Sequence, residues 1–239
     1  MNIFKYTLPI FIFFLNTGCY QNCVSFKKSD IKIYGIDVSH YQSQISIIDW
    51  TKVVKNKSPK IEFAYIRTTM GINSVDTAFK YNFEQAKKNG LAVGVYHYYR
   101  PNEPAIKQFE NFLKNTTDIG DLPPVIDIEE RCILGPKKLR EELLFFLKKI
   151  EEKYKKKAIL YAPQKFYNNY LRNYFSEYEF WIARHSGIKK QPENNKPYKE
   201  PELFGEKCPK IWQYSASGTV KGISGLVDLN ITNDRFWDP

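Results

Sequence analysis

Two acidic residues at the end of a short apolar run are the side chains best placed to do chemistry. The run Pro123-Pro124-Val125-Ile126 leads into Asp127 and Glu129, which are spaced i, i+2. On an extended strand such residues point to the same side, about 6.6 Å apart along the chain. Two carboxyl groups this close cannot both ionise freely, so one is expected to hold its proton at neutral pH. A protonated acid beside an ionised one is the working pair of many enzymes that cleave sugar linkages.

Two further acids occupy similar positions, Asp37 at the end of the first predicted strand and Asp228 at the end of the last. In a barrel of alternating strands and helices, the carboxyl ends of the strands form the active face. The first and last strands are neighbours in a closed barrel, so four acids are predicted to converge on one mouth. Taken alone, Asp37 could be a helix cap and Asp228 a turn residue, and the strand-four acids could be a buried pair held by backbone donors.

Aromatic and polar residues near the same strand ends are candidates for contact with a substrate. The chain is 16% aromatic, with 17 Tyr, 17 Phe and 4 Trp. Exposed aromatic rings can stack on sugars, although filling a core is their commoner use. The candidate binding residues are Tyr65, Arg67, Tyr98, Tyr161, Trp181, Gln213 and Tyr214.

The elements that must position these residues alternate between strand and helix patterns. Strands are predicted at Ile33–Ser39, Glu62–Thr69, Ala92–Tyr99, Pro124–Glu129, Ala158–Ala162, Phe180–His185, Lys210–Tyr214 and Leu226–Asn230. Helices are predicted at Asp49–Asn56, Asp76–Asn89, Glu103–Lys114, Pro136–Lys156 and Gln164–Phe175. Such alternation implies parallel strands joined by helical crossovers. The fold class is therefore α/β: an irregular TIM-like barrel of five βα units followed by three strands, (β/α)5β3.

The N-terminus has the pattern of a bacterial export signal. Lys5 precedes the apolar stretch Tyr6–Leu15, and Gly18-Cys19 follows. Ten apolar residues are too few for a permanent membrane span. We predict a signal peptide over residues 1–18, with a lipoprotein-type end at which Cys19 would become the lipidated first residue as one alternative. Residues 19–30 are predicted as a linker and residues 31–239 as the catalytic barrel. The protein is expected to be exported: periplasmic, secreted or anchored to the membrane.

The cysteines, the histidines and the net charge indicate which metals, cofactors and partners to expect. The four cysteines make no metal-binding pattern, and the three histidines have no metal-binding spacing either. We therefore expect no metal and no cofactor. Cys132 follows one strand and Cys208 precedes another, which predicts opposite barrel ends and no disulfide between them. The net charge of +10 comes mainly from lysines without an arginine cluster, so nucleic acid is not predicted as a partner. A monomer is expected.

Several motifs, taken in order, resemble glycoside hydrolase family 25, the lysozymes of the Chalaropsis type. They are Gly35-Ile36-Asp37-Val38-Ser39, Gly94-Val95-Tyr96-His97-Tyr98-Tyr99-Arg100-Pro101, Asp127-Ile128-Glu129, Trp212-Gln213-Tyr214, Gly222-Ile223-Ser224-Gly225 and Val227-Asp228-Leu229-Asn230. The resemblance covers roughly residues 34–239. It implies a barrel of five βα units and three closing strands. It also implies hydrolysis of the β-1,4 bond between N-acetylmuramic acid and N-acetylglucosamine in peptidoglycan.

The resemblance also assigns roles to the acids. Glu129 matches the general acid, Asp127 its partner, and Asp37 and Asp228 two further acids of the site. It implies retained stereochemistry assisted by the substrate's own 2-acetamido group, with Asp127 or Asp228 orienting that group. The chain departs from the family pattern at Thr68-Thr69-Met70-Gly71, where an alanine-threonine-glutamate-glycine run is usual. The insert at residues 186–207 is expected to reshape one wall of the groove.

Two rival functions use the same residues. One is a non-catalytic barrel that binds cell-wall glycan, against which the intact set of four acids argues. The other is a metal-dependent phosphodiesterase or deacetylase that uses the acid cluster, which the histidine spacing disfavours.

Overall fold

The computed structural model describes residues 23–185, 199–205 and 207–237, which form one barrel. The predicted signal peptide and Cys19 lie outside the described residues, as does most of the predicted insert at 186–207. The strands are β1 (Ile33–Val38), β2 (Ile61–Met70), β3 (Ser74–Val75), β4 (Ala92–Tyr98), β5 (Val125–Asp127), β6 (Ile159–Pro163), β7 (Glu179–Ala183), β8 (Pro209–Gly218) and β9 (Val227–Thr232). The helices are α1 (Trp50–Val53), α2 (Phe79–Lys88), α3 (Ala105–Asn115), α4 (Gly135–Tyr154) and α5 (Gln164–Phe166), the last continuing into a π-helical turn at Tyr167–Leu171.

Eight strands close the barrel in the order β1-β9-β8-β7-β6-β5-β4-β2, and β2 pairs back to β1. The two-residue β3 forms an antiparallel hairpin with β2 outside this ring, and the sequence did not predict it. Six pairs of adjacent strands are parallel: β1 with β2, β2 with β4, β4 with β5, β5 with β6, β6 with β7, and β7 with β8. The predicted fold of five βα units followed by three strands is confirmed.

Alternation of side chains along the strands builds two apolar layers. One set, which includes Phe63, Tyr65 and Trp181, fills the inside of the barrel. The opposite set packs under the helices, where α4 buries Leu139, Leu143, Phe146, Leu147 and Ile150 at helical spacing. α4 is the longest helix, but like every helix in the described ranges it lacks an apolar stretch long enough to cross a membrane.

The last strand runs against the others. β9 pairs antiparallel with both β1 and β8, so its first residues, and not its last, lie beside the carboxyl end of β1. Asp228 was predicted at the end of its strand, which is wrong because it is the second residue of β9. The reversal nevertheless brings it to the predicted mouth, where the register sets Asp228 opposite Asp37.

A disulfide fastens the N-terminal segment to the barrel. Cys23 is bonded to Cys208, and Cys132 is a free thiol, so the prediction that Cys132 and Cys208 do not pair is confirmed. The pairing with Cys23 was not predicted, because residues 19–30 read as a polar linker. From Cys23 onward this segment packs on the barrel, with Phe26 buried and its ring centroid 5.9 Å from that of Trp212.

The end of the barrel opposite the mouth, which we call the base, is covered by the C-terminal residues. The ring of Trp237 lies 5.7 Å from that of Phe63, near the start of β2. Phe236 packs on the same inner apolar cluster. Cys208 immediately precedes β8, so the disulfide to Cys23 is at the base as well.

Candidate active site

A cleft opens at the mouth of the barrel. Asp37, Asp127, Glu129 and Asp228 all line it. They come from β1, from the end of β5 and the residues just after it, and from the start of β9. The structure therefore brings the four predicted acids together, arranged as two pairs.

The first pair is Asp37 and Asp228, which are register partners on β1 and β9. Oδ2 of Asp37 accepts hydrogen bonds from Nε2 of Gln213 at 2.9 Å and from Nδ2 of Asn230 at 2.8 Å. Burial raises the pKa of Asp37, while these two donors oppose the rise. Burial, followed by the nearby charge of Asp37, raises the pKa of Asp228 to about 9. Because both amide donors favour the charged form of Asp37, at neutral pH the proton of this pair resides on Asp228.

The second pair is Asp127 and Glu129. Asp127 is buried, and its Oδ1 has no hydrogen-bond partner. Burial, then the charges of Glu129 and Asp37, raises the pKa of Asp127 well above its usual value. The side chain of Glu129 is open to the cleft, yet desolvation by the surrounding protein raises its pKa too. A pair in which both pKa values are raised retains a proton near neutral pH.

Arg67 is the one cationic side chain lining the cleft within the described ranges. Its Nε donates a hydrogen bond to Oδ2 of the buried Asp76 at 3.0 Å, and its guanidinium lies 5.3 Å from the centre of the Tyr41 ring. The backbone N–H of His40 donates to the same Asp76 oxygen at 2.9 Å. Asp76 therefore fixes the position of Arg67, a role that the sequence analysis missed because Asp76 read only as the start of a helix.

Five of the seven candidate binding residues line the cleft: Arg67, Tyr98, Tyr161, Trp181 and Gln213. The structure does not bring Tyr65 and Tyr214 there. Tyr65 faces the barrel interior one inward position deeper than Arg67, and its hydroxyl donates to the carbonyl oxygen of Pro123. Tyr214 follows the inward-facing Gln213, so strand alternation turns its ring outward into the layer under the helices.

The cleft also contains residues that the sequence analysis missed. Tyr96 lines it two residues before Tyr98, a spacing on one side of β4 that could have revealed it. Ser39 and Gln42 form a capping box at a short 3₁₀ turn, His40–Ser43, and the Ser-x-x-Gln pattern was visible in the sequence. Asn230, two residues after Asp228 on the same side of β9, does not line the cleft but is buried behind it and donates to Asp37, a role that its place in the Val227–Asn230 motif did not reveal.

Met70 stands where the family usually has a glutamate, and in this structure its sulfur lies beside the side chain of Arg100. Nη2 of Arg100 lies 3.6 Å from the sulfur of Met70, and Nε of Arg100 is buried without a partner.

No group of three or more His, Cys, Asp or Glu side chains in residues 23–185, 199–205 and 207–237 is arranged to hold a metal ion.

Comparisons with known proteins agree with this geometry. The family model for "Glycosyl hydrolases family 25" matches residues 36–223. The chain belongs to glycosyl hydrolase family 25. The resemblance noted in the sequence is thereby confirmed, and the chain is a glycoside hydrolase of the lysozyme type.

Individual relatives cover most of the chain. It is 38% identical over 205 residues to protein YegX of Escherichia coli (strain K12), covering 84% of this chain and 70% of YegX. It is 31% identical over 216 residues to Lysozyme M1 of Streptomyces globisporus, covering 84% and 68%. The structure of a family 25 glycosyl hydrolase from Bacillus anthracis is similar with a TM-score of 0.73 and 28% identity, over 90% of this chain and 94% of that one.

Proposed function

We propose that this family 25 enzyme is an exported N-acetylmuramidase. It cleaves the β-1,4 bond between N-acetylmuramic acid and N-acetylglucosamine in peptidoglycan, with retention of configuration. The observation that carries the proposal is the convergence of two proton-sharing carboxyl pairs on one cleft. Similarity to proteins named Lysozyme M1 and Autolytic lysozyme supports the substrate class.

Glu129 is assigned as the general acid because it is the acid most open to the cleft. It gives its proton to the glycosidic oxygen as the bond from that oxygen to the anomeric carbon breaks. The carbonyl oxygen of the substrate's 2-acetamido group forms the new bond to the same carbon. Glu129, now ionised, takes a proton from the water that attacks this carbon from the side the leaving group vacated, while the bond between the carbon and the acetamide oxygen breaks and restores the acetamide. Two displacements retain the configuration.

Asp127 is assigned to orient the acetamide. With the proton of the pair on Glu129, Asp127 is the carboxylate, so a single proton shift prepares both residues. Oδ1 of Asp127 is buried without a partner in the free protein. Buried polar atoms are rarely left unpaired, so an N–H donor from the substrate would complete this site.

Asp37 and Asp228 face the same sugar with different charges. The anionic Asp37 would stabilise the positive charge that develops on the sugar ring in the transition state. The neutral Asp228 would offer a hydrogen bond to the substrate as a protonated acid. The anion and the neutral acid thus occupy neighbouring positions without repelling each other.

Export is proposed from two features. Residues 1–18 are assigned as a signal peptide that precedes the barrel of residues 31–239, and Cys19 as a candidate lipid attachment site. The disulfide between Cys23 and Cys208 supports an oxidising compartment, because disulfides persist in exported proteins and are rare in the cytosol. A monomer is proposed for the active form.

The deciding experiment is mass spectrometry of the products released from defined peptidoglycan. A muramidase leaves a new reducing end on N-acetylmuramic acid. Glu129→Gln should lose about 10²- to 10⁴-fold in rate while staying folded, the usual effect of a missing general acid. Binding to cell wall without bond cleavage would point to a glycan-binding barrel. Activity abolished by a chelator would point to a metal-dependent hydrolase.

A further inference from the structure

One oxygen of Asp37 is held by two side-chain amides from two other strands. Nε2 of Gln213 on β8 lies 2.9 Å from Oδ2 of Asp37, and Nδ2 of Asn230 on β9 lies 2.8 Å from it. Two N–H donors on one carboxylate oxygen favour the charged form of that carboxyl group. Both amides are buried, so water does not readily replace them as donors.

The orientation of Asn230 is itself fixed by a second contact. Its Oδ1 accepts a hydrogen bond from the indole N–H of Trp181 at 3.0 Å. An indole nitrogen is a donor only, so a rotated amide would place its NH₂ group against the indole and its oxygen against Asp37. Both contacts would then be repulsive. Trp181 therefore forces the NH₂ group of Asn230 toward Asp37.

Gln213 is oriented by two contacts to its side-chain oxygen. Its Oε1 accepts from the hydroxyl of Tyr161 at 2.8 Å and from Nε2 of His185 at 2.8 Å. A hydroxyl and an imidazole can also accept, so they constrain the amide less strictly than an indole does, but with Oε1 turned to both of them the NH₂ group faces Asp37. We call these five residues, Tyr161, Trp181, His185, Gln213 and Asn230, the Asp37 clamp.

We propose that Tyr161, Trp181 and His185 are positioning residues that keep Asp37 an anion by fixing the amides of Gln213 and Asn230. The proton of the first pair then stays on Asp228. Other titratable or charged groups face Asp37 from the surrounding strands, and they are Asp127, Glu129, Arg67, Tyr96 and Asp228. The kinetic consequence rests on the proposed muramidase activity, whereas the state of Asp37 can be measured without it.

The test compares two tyrosines that both pack against Trp181 but whose hydroxyls have different partners. The rings of Tyr161 and Tyr65 lie 5.1 and 5.0 Å from that of Trp181, and both residues are buried. The hydroxyl of Tyr161 donates to Gln213, whereas that of Tyr65 donates to the carbonyl oxygen of Pro123 and contacts no amide of the clamp. Tyr65→Phe is therefore a matched control for Tyr161→Phe.

The first measurement is the pH profile of kcat/KM for peptidoglycan hydrolysis by the full chain. Loss of one orienting donor weakens the hold on ionised Asp37 and raises its pKa. The acidic limb of the profile should therefore move to higher pH by about 0.5–1 unit in Tyr161→Phe. It should stay at the wild-type position in Tyr65→Phe. Because Tyr161 also lines the cleft, a change in KM with an unmoved limb would show direct substrate contact only and would overturn the proposal.

The second measurement does not depend on activity. The side-chain carboxyl carbon of Asp37 is followed by ¹³C NMR as pH is varied, and its signal is identified by its absence in Asp37→Asn. The clamp predicts that Asp37 ionises at higher pH in Tyr161→Phe and in Trp181→Phe than in the wild type or in Tyr65→Phe. Equal titration in all four proteins would overturn the clamp even if the wild type cleaves peptidoglycan. If the wild type cleaves nothing, the muramidase proposal fails and this titration still decides the clamp.

Discussion

The two carboxyl pairs of the cleft stand on different parts of the barrel and are supported differently. Asp37 and Asp228 lie on β1 and β9, where amides from β8 and β9 donate to Asp37. Asp127 and Glu129 lie at the end of β5, where Oδ1 of Asp127 is buried without a partner. Neighbouring carboxyls raise the pKa of a group in each pair. The two pairs therefore differ in the donors around them.

This difference separates a fixed charge from a movable proton. Two oriented donors hold the charge on one oxygen of Asp37, so the proton of that pair has one preferred position. Oδ1 of Asp127 has no such donor, so we expect the proton of the second pair to be less firmly fixed on one residue. A general acid must release and regain a proton in each catalytic cycle, which suits the second pair. A transition-state stabiliser must keep its charge, which suits the first.

The largest expected effect compares one substitution in each pair. Glu129→Gln should lower kcat by about 10²- to 10⁴-fold, because an amide cannot donate the catalytic proton. Asp228→Asn should lower it by only about 10-fold or less at pH 7, because an amide resembles the protonated acid that Asp228 already is. Rates of reducing-end release from peptidoglycan measure both. Equal losses in the two variants would mean that Asp228 acts as an ionised group.

A second comparison uses stability in place of rate. The pKa of Asp228 is raised to about 9 by burial and by the charge of Asp37. Between pH 4 and pH 9 the unfolded chain loses this proton and the folded chain keeps it, so the stability of the wild type falls as pH rises. Asp228→Asn removes this pH-dependent penalty, because its side-chain amide does not titrate. In thermal unfolding, the Tm of Asp228→Asn should rise relative to that of the wild type as the pH is raised from 4 to 8. A constant difference in Tm would contradict the raised pKa.

The smallest effect on rate is expected from the disulfide. Cys208 directly precedes β8, which carries Gln213, so opening the bond to Cys23 affects the support of Asp37 more than that of Asp127. Cys23→Ala should cost about 2–4 kcal/mol of stability, measured by denaturant unfolding. The change in kcat at neutral pH should be less than about threefold. Cys132→Ala, which removes the free thiol, is the matched control and should change stability less.

The barrel and its acids could be predicted because they depend on local patterns. Short apolar runs located the eight barrel strands to within a few residues, and helical spacing located α2, α3 and α4. The direction of β9 could not be predicted from alternation, because period-two patterns are the same for parallel and antiparallel strands. Asp228 was therefore correctly predicted at the mouth, although it lies at the start of its strand and not at the predicted end.

The supporting contacts were hidden for a different reason. The partners of Asp37 are Gln213 and Asn230, 176 and 193 residues away in sequence, and no spacing rule connects them. The position of Asp76 under Arg67 and the pairing of Cys23 with Cys208 likewise depend on closure of the barrel. Tyr65 and Tyr214 were assigned to the cleft from their nearness to strand ends. Whether such a residue reaches the cleft depends on how deep it lies along its strand and on whether its side chain points into or out of the barrel. Neither can be known before the register of the strands is known.

The reversed β9 has a practical consequence for attaching this enzyme to a surface. Because the last strand runs away from the cleft, Trp237 rests at the base, and Cys23 is bonded there as well. A bead, a fused domain or an anchor joined on the N-terminal side of Cys23 or beyond Trp237 would leave the disulfide intact and the catalytic opening pointing outward. Immobilised preparations made through the two ends should therefore show similar access to a solid, insoluble polymer such as a sacculus.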